Sequence, residues 1–569
     1  MPADFSLLAN VVNLFDRSVR PATIRVEHGR VAAVTPTGAA EPDDALPYAL
    51  PGFVDAHVHV ESSLLVPTEF ARLAVAHGTV ATVSDPHEIG NVLGVAGVEY
   101  MLANAAHSPF KFCFGAPSCV PATPFETAGA EITAADIAEL FKNPRIGYLA
   151  EMMNWPGVLH RDADVMAKIT LAHAAGRPVD GHAPGLRGAD AAHYASAGIS
   201  TDHECFTAAE ARDKLAAGMK ILIREGSAAR NFDALIELLP EHPAQLMFCS
   251  DDKHPDTLVL GHINQLVQRA VALGHDVFDV LQVACLNPVQ HYRLPVGLLR
   301  AGDQADFIVV NNLEDFQVQQ TYLDGELVAE NGISRLPAVP VAVVNNFHAQ
   351  PVAAADFRVP APQVQPQTLD PLRAEARATT MRVIQCFDGQ LITARVDVPA
   401  TVDNGLVVPA VADDVLKLAV VNRYQPRVPP AVAFIRGFGL RHGALASSVG
   451  HDSHNITAVG CDDASLARAV NLVIAAKGGL AAVGADGREI LLPLPVAGLM
   501  SDQPGPEVAA AYAAVDALAK QLGSPLNAPF MTLSFMALLV IPDLKLSDQG
   551  LFDGQQFAFV DAVAQGYAE

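Results

Sequence analysis

Eight short apolar runs alternate with helix-like stretches between residues 51 and 290, with their polar residues towards the C-terminal ends. The runs are PGFVDAHVH, TVATVSDPHE, FKFCFGAPSCV, RIGYLAEMM, RPVDGHAPG, GISTDHEC, GMKILIREGS and AQLMFCSDD. Stretches between them, such as DADVMAKITLAHAAG, place Val165, Met166, Ile169 and Ala172 at the spacing of one helix face. Eight such units over about 240 residues have the size of a (β/α)8 TIM-like barrel. Barrel strands are covered on both faces, so they read as nearly continuous apolar runs. Their polar residues fall at the C-terminal ends, where such a barrel builds its site.

The remainder of the chain reads as two further parts, giving an α/β fold class overall. Residues 1–50 carry the strand-like LLANVVNLF and TIRVEHGRVAAV, with a turn at His28-Gly29. Strand-and-turn character returns after the barrel, which predicts one small composite β-domain made from residues 1–50 plus 291–340, with the barrel, 51–290, inserted in it. The Pro/Ala/Gln-rich VPAPQVQPQTLDP (359–371) reads as a linker. Residues 372–569 then read as a C-terminal α/β domain, with strands such as MRVIQCF and helices such as DASLARAVNLVIAAK.

Composition limits the partners. The chain has 62 acidic and 37 basic residues among 569, a net charge of −25. That balance argues against nucleic acid, which needs a Lys/Arg surface, and against an anionic membrane. It does not exclude a nucleobase, which carries no phosphate. Cys113, Cys119, Cys205, Cys249, Cys285, Cys386 and Cys461 are scattered without a CxxC pair, which fits a reducing compartment. The N-terminus has no cationic region before its apolar run and no apolar stretch is long enough to span a bilayer, so the expectation is a cytoplasmic protein. The apolar FMTLSFMALLVIP (530–542), read as strand, suggests a homo-oligomer, a dimer or larger.

His57 and His59 end the first run as HxH, and on a strand alternate residues share a side, so both imidazoles can reach one ion. Glu151, His182, His203 and Asp251 end the fourth, fifth, sixth and eighth runs. This set is able to hold two divalent ions, with Glu151 placed to bridge them. Nitrogen and oxygen donors without thiolate suit Mn2+, Fe2+ or Zn2+ and do not choose among them. Glu61, Ser62, Ser63, Asp85, His87, Glu88, Asp252 and His254 follow closely after the strand ends, as substrate-surrounding loop residues or as a hydrogen-bonded scaffold. Arg224 ends the seventh run and would contact substrate or hold a neighbouring carboxylate. His451, Asp452 and His454, in HDSHN, would close over the site, hold an auxiliary ion, or cap a turn. Met152, Met153 and Trp155 read as packing beneath the site.

These segments resemble the amidohydrolase superfamily and, within it, the bacterial adenine deaminases. The resemblance runs almost end to end, through PGFVDAHVHVESS, SDPHEIGNV, LAEMMNWPGV, GHAPGL, REGSAARN, SDDKHP, HDSHNI and LPLPVAGLMS. It implies that His57, His59, Glu151, His182, His203 and Asp251 are metal ligands, with glutamate where many relatives carry a carboxylated lysine, and that the ions are Mn2+ or Fe2+. It also implies hydrolytic deamination of adenine to hypoxanthine and ammonia, in purine salvage. In that chemistry Asp251 is the candidate proton shuttle. Glu88 is placed to hold a ring N–H or support protonation at N1, and Asp85 with His87 to form an acid/base relay or a further metal position. The alternative is a related binuclear amidohydrolase acting on another aminated heterocycle or a cyclic amide, because fold does not fix substrate.

Overall fold

The computed structural model describes residues 4–362 and 379–565. The chain begins with an antiparallel meander, β1 (Phe5–Asn13), β2 (Ser18–Glu27) and β3 (Arg30–Pro36), and β4 (Tyr48–Pro51) pairs parallel to β1. His28 and Gly29 both take positive φ, 53° and 77°, which is the backbone of a tight hairpin turn between β2 and β3.

Eight parallel strands follow: β5 (Phe53–Val58), β6 (Thr79–Ser84), β7 (Lys111–Ala116), β8 (Ile146–Met152), β9 (Val179–Gly181), β10 (Thr201–Asp202), β11 (Lys220–Arg224) and β12 (Leu246–Cys249). The ladder is continuous over β5–β9 and over β10–β12. Two contacts join these arcs into a ring. The Ser200 N–H donates to the Val179 carbonyl at 2.9 Å, and Val58 pairs in parallel with Asp251, whose N–H donates to the His57 carbonyl at 2.9 Å. Every residue of β5, β6 and β12 is buried, as strands covered on both faces require. Gly52, between β4 and β5, admits no side chain: a Cβ there would meet Val80 at 2.2 Å.

Beyond the barrel, β13 (Phe307–Val310) pairs antiparallel with β4 and continues into β14 (Val318–Leu323), β15 (Glu326–Glu330) and β16 (Ile333–Ser334). The result is one eight-stranded sheet, ordered β16-β15-β14-β13-β4-β1-β2-β3, built from both ends of the barrel insertion. Of the stretch read as a linker, Val359–Pro360 pairs with Leu406–Val407, and 363–371 lies outside the described residues.

The C-terminal part is a nine-stranded sheet, antiparallel except where Thr379–Gln385 runs parallel to Ala431–Arg436. Helix Asp463–Ala476 covers one face, packing Ala469, Val470 and Val473 against Ala446, Ala458 and Ala481. This part docks on the barrel mouth. Ser501 N–H donates to the Leu64 carbonyl (2.8 Å), Gly505 N–H to Glu69 Oε2 (2.9 Å) and Asn455 Nδ2 to the Thr127 carbonyl (2.9 Å). One apolar cluster accordingly runs from the barrel into the C-terminal part.

Residues 530–542 depart from the strand expectation. They begin in helix Pro529–Ser534, and Phe530, Met531, Leu533 and Phe535 are buried within their own chain. The apolar surface that suggested an oligomer is thus already covered. Among the described residues, no helix is long and apolar enough to cross a membrane. All seven cysteines are free thiols.

Candidate active site and metal centre

The strand ends converge on one buried cluster. His57 and His59 leave β5 on the same side, with Nε2 atoms 3.2 Å apart, and the Asp85 carbonyl faces His59 Nδ1 at 3.2 Å. That backbone contact orients the ring and directs Nε2 inward. Glu151, ending β8, spans the cluster: Oε1 lies 3.4 Å from His59 Nε2, while Oε2 lies 2.9 Å from His182 Nδ1 and 3.1 Å from His203 Nε2. Asp251, just past β12, sets Oδ1 3.2 Å from His59 Nε2 and 3.6 Å from His57 Nε2. Its φ of 53° is a left-handed conformation uncommon outside glycine, held here because its N–H pairs with the His57 carbonyl.

All six residues are buried. Burial raises the Glu151 carboxyl's pKa, but His182 and His203 more than offset this and hold it well below the usual carboxylate range. Asp251 is likewise driven up by burial and held well down, chiefly by the Arg224 guanidinium. Carboxylates kept ionised beside inward-facing imidazole nitrogens form a buried nitrogen and oxygen donor set that suits a divalent cation. The buried His/Asp/Glu groups His57–Glu151–His203 and His57–His59–Asp251 share His57, so the donors lie close enough for adjacent ions.

The other expected residues divide by position. Asp85 accepts the His87 N–H through Oδ1 (3.0 Å) and the Glu151 N–H through Oδ2 (3.3 Å), and Oδ2 lies 3.2 Å from His87 Nδ1. His87 Nε2 faces Glu88 Oε1 at 3.5 Å and Asp452 Oδ1 at 3.7 Å. Glu88 meets His451 Nδ1 at 2.5 Å and also pairs with His454 Nε2, which brings HDSHN from the far domain to the barrel mouth. Glu61 accepts the Ile89 N–H, and burial lifts its carboxyl to about 7.

A small cavity of about 30 Å3 opens over the cluster. Its barrel side includes His59, His87, Glu88, Glu151, His182, His203, Asp251 and Asp252, and its roof comes from the C-terminal part: Leu391, His451, Asp452, Phe535 and Leu538. The residues expected around the substrate fall into different places. Glu61, Ser62 and Asp85 stand behind this lining, each committed to a protein partner, Ser62 by donating its hydroxyl to Asp252 Oδ1 at 2.5 Å. Arg224 lines the cavity, but its guanidinium is taken by Glu204 and by Asp251 Oδ2 at 2.5 Å, so it holds a carboxylate instead of offering donors to a ligand. Ser63 donates to the Val60 carbonyl, and His254 packs at a tilt against Tyr512, ring centroids 4.4 Å apart, with its pKa pushed by burial down to about 3. Met153 lines the cavity, whereas Met152 and Trp155 pack below it.

Two family models match this chain, the amidohydrolase family over residues 48–328 and the adenine deaminase C-terminal domain over residues 390–558. An adenine deaminase of Salinibacter ruber is 57% identical, with 99% of each chain covered. Those of Sulfurovum sp. and Methanosarcina mazei are 53% and 48% identical, covering 97% of this chain and 99% and 98% of their own. The chain belongs to the adenine deaminase family. The family's C-terminal domain is the part that roofs the cavity, and it supplies residues with no signal in the barrel pattern: Leu391, Phe535 and Leu538. Glu204 was also missed, although it directly follows His203 in GISTDHEC; it lies 3.5 Å from His203 Nε2 and pairs with Arg224.

Proposed function

We propose that this chain hydrolyses adenine to hypoxanthine and ammonia, with two divalent ions, Mn2+ or Fe2+, held by His57, His59, Glu151, His182, His203 and Asp251. The observation that carries the reading is Glu151, whose two oxygens face different imidazoles of one buried cluster, as a bridging ligand would. Divalent ions bound there would acidify water, making hydroxide available near neutral pH.

This chain's own residues then have separable tasks. Asp251 keeps Oδ2 on Arg224, which leaves Oδ1 to take the proton from the attacking water and pass it on. Water adds to C6 of the ring, and the exocyclic nitrogen must gain a proton to leave as ammonia; Asp251, His87 and Glu88 all line the cavity and are the groups that would deliver it. Asp85 anchors both the Glu151 backbone and the His87 ring, coupling the ligand cluster to the acid/base pair. Leu391, Phe535 and Leu538 of the roof would pack on the flat face of the base. The −25 charge is compatible with such a neutral base as substrate.

The test is to incubate metal-replete protein with adenine and follow ammonia release together with loss of the adenine absorbance. Matched release and loss is the expected result. Turnover of another aminopurine or of a lactam, with none of adenine, would overturn it.

A further inference from the structure

The cavity lining that the proposed ligands leave over is rich in acceptors: Glu88, Glu204, Asp252 and Asp452. A purine edge presents acceptor nitrogens as well, so holding it in register calls for a donor. Arg224 has spent its terminal nitrogens on Glu204 and Asp251. His451 is differently placed. Its Nδ1 lies 2.5 Å from Glu88 Oε1 and 3.8 Å from Asp452 Oδ1, its Nε2 lies 3.9 Å from Asp252 Oδ1, and Nε2 is buried without a hydrogen-bond partner. Carboxylates on both sides of one ring favour the imidazolium, in which both nitrogens are donors. Burial pushes the His451 pKa down, and Glu88 with Asp252 reverses this, to about 9.

The ring is also fixed in orientation. Phe535 stacks on it at 5.0 Å with 27° between planes, and the His451 N–H donates to the Ser534 carbonyl at 3.0 Å. Side chain and backbone therefore tie the HDSHN segment to the apolar segment that carries Phe535 and Leu538.

We propose that His451 determines base specificity: its Nε2–H donates to a ring acceptor nitrogen of the bound purine, on a wall supplied by the C-terminal domain. The inference rests on the deaminase reading above and adds to it a contact from outside the barrel. His451 thus acts as a substrate contact and not as a ligand of an auxiliary ion.

The experiment compares adenine with 3-deazaadenine and 7-deazaadenine, each lacking one acceptor nitrogen, for metal-replete wild type, His451→Phe and His451→Gln. Circular dichroism and metal content establish that each variant is folded and loaded. In wild type, kcat/KM should fall about 10- to 100-fold for one of the two analogues. His451→Phe should lose a similar factor on adenine and nothing more on that analogue, while His451→Gln, which retains a side-chain N–H, should recover part of the loss. Equal losses on all three bases would overturn the inference, as would a third ion per chain that disappears with His451. If His451→Phe does not fold, the discrimination shown by His451→Gln decides alone, and full wild-type selectivity without recovery on adenine counts against the contact. Failure of wild type to turn over adenine would instead overturn the deaminase reading.

Discussion

Lys545 lies in the fully buried strand Leu544–Ser547, is itself 0% exposed, and pairs with no carboxylate among the described residues. Its Nζ donates to the carbonyls of Leu391 (2.6 Å) and Phe535 (2.9 Å), the two segments that roof the cavity. A buried ammonium without a counterion is costly, and burial pushes this one down from 10.5 to about 7. The sign follows from linkage. Between pH 7 and 10.5 the unfolded chain binds this proton and the folded chain does not, so folding becomes more favourable as pH rises through that window. Below pH 7 both states hold the proton and the full penalty of burying it applies. The group thereby contributes about 3 kcal/mol more to folding stability at pH 9 than at pH 6. Lys545→Met keeps the length and removes the charge. It also leaves two carbonyls without a donor, at a cost of about 1–3 kcal/mol each, which does not vary with pH. Unfolding free energies of the two metal-loaded proteins at pH 6 and pH 9 isolate the titrating part: the wild-type increase should exceed the variant's by about 3 kcal/mol. Parallel pH profiles would show that Lys545 keeps an ordinary proton affinity and that the reasoning from burial fails.

Three further outcomes follow from the cluster. Asp251→Asn should lower the rate by about 10²- to 10⁴-fold without loss of fold, and wild-type rates in that variant would refute its place as proton acceptor. Arg224→Met strands Glu204 and the Asp251 carboxylate in a buried site and should destabilise the protein by about 3–5 kcal/mol in thermal or denaturant unfolding, whereas Arg224→Met combined with Glu204→Gln should recover part of that loss. Reconstitution of chelated protein with Mn2+ should bring about two ions per chain and raise the melting temperature, since an ion that binds only the folded chain stabilises it; fewer than one ion per chain would count against a bridged pair.

The barrel and its donors were legible because their signals are local. An apolar run ending in His, Glu or Asp states both that a strand is buried and where its side chains emerge, and HxH at His57 and His59 states that two of them share a side. The turn at His28-Gly29 is of the same kind, set by backbone conformation within two residues. The positions whose sequence reading stayed open have chemistry decided by distant neighbours. Arg224 reads equally as a substrate contact or as the holder of a carboxylate until Glu204 and Asp251 are brought against it, and Ser62 as a substrate or scaffold donor until it donates to Asp252, 190 residues away in the chain.

The contrast is sharpest at the cavity roof. The sequence alone determined a (β/α)8 barrel, a β-domain built from its two flanks, and six metal-ligand candidates at strand ends, because period and residue type suffice for these. Only the tertiary structure decided that HDSHN meets Glu88, that residues 530–537 are helical, that Phe535 and Leu538 line the cavity, and that Lys545 joins that segment to Leu391. The Lys545–Leu391 contact spans 154 residues within the C-terminal domain, and the Glu88–His451 contact crosses from the barrel to that domain. Nothing periodic marks them, since the first exists only once the C-terminal domain has folded and the second only once it has docked on the barrel.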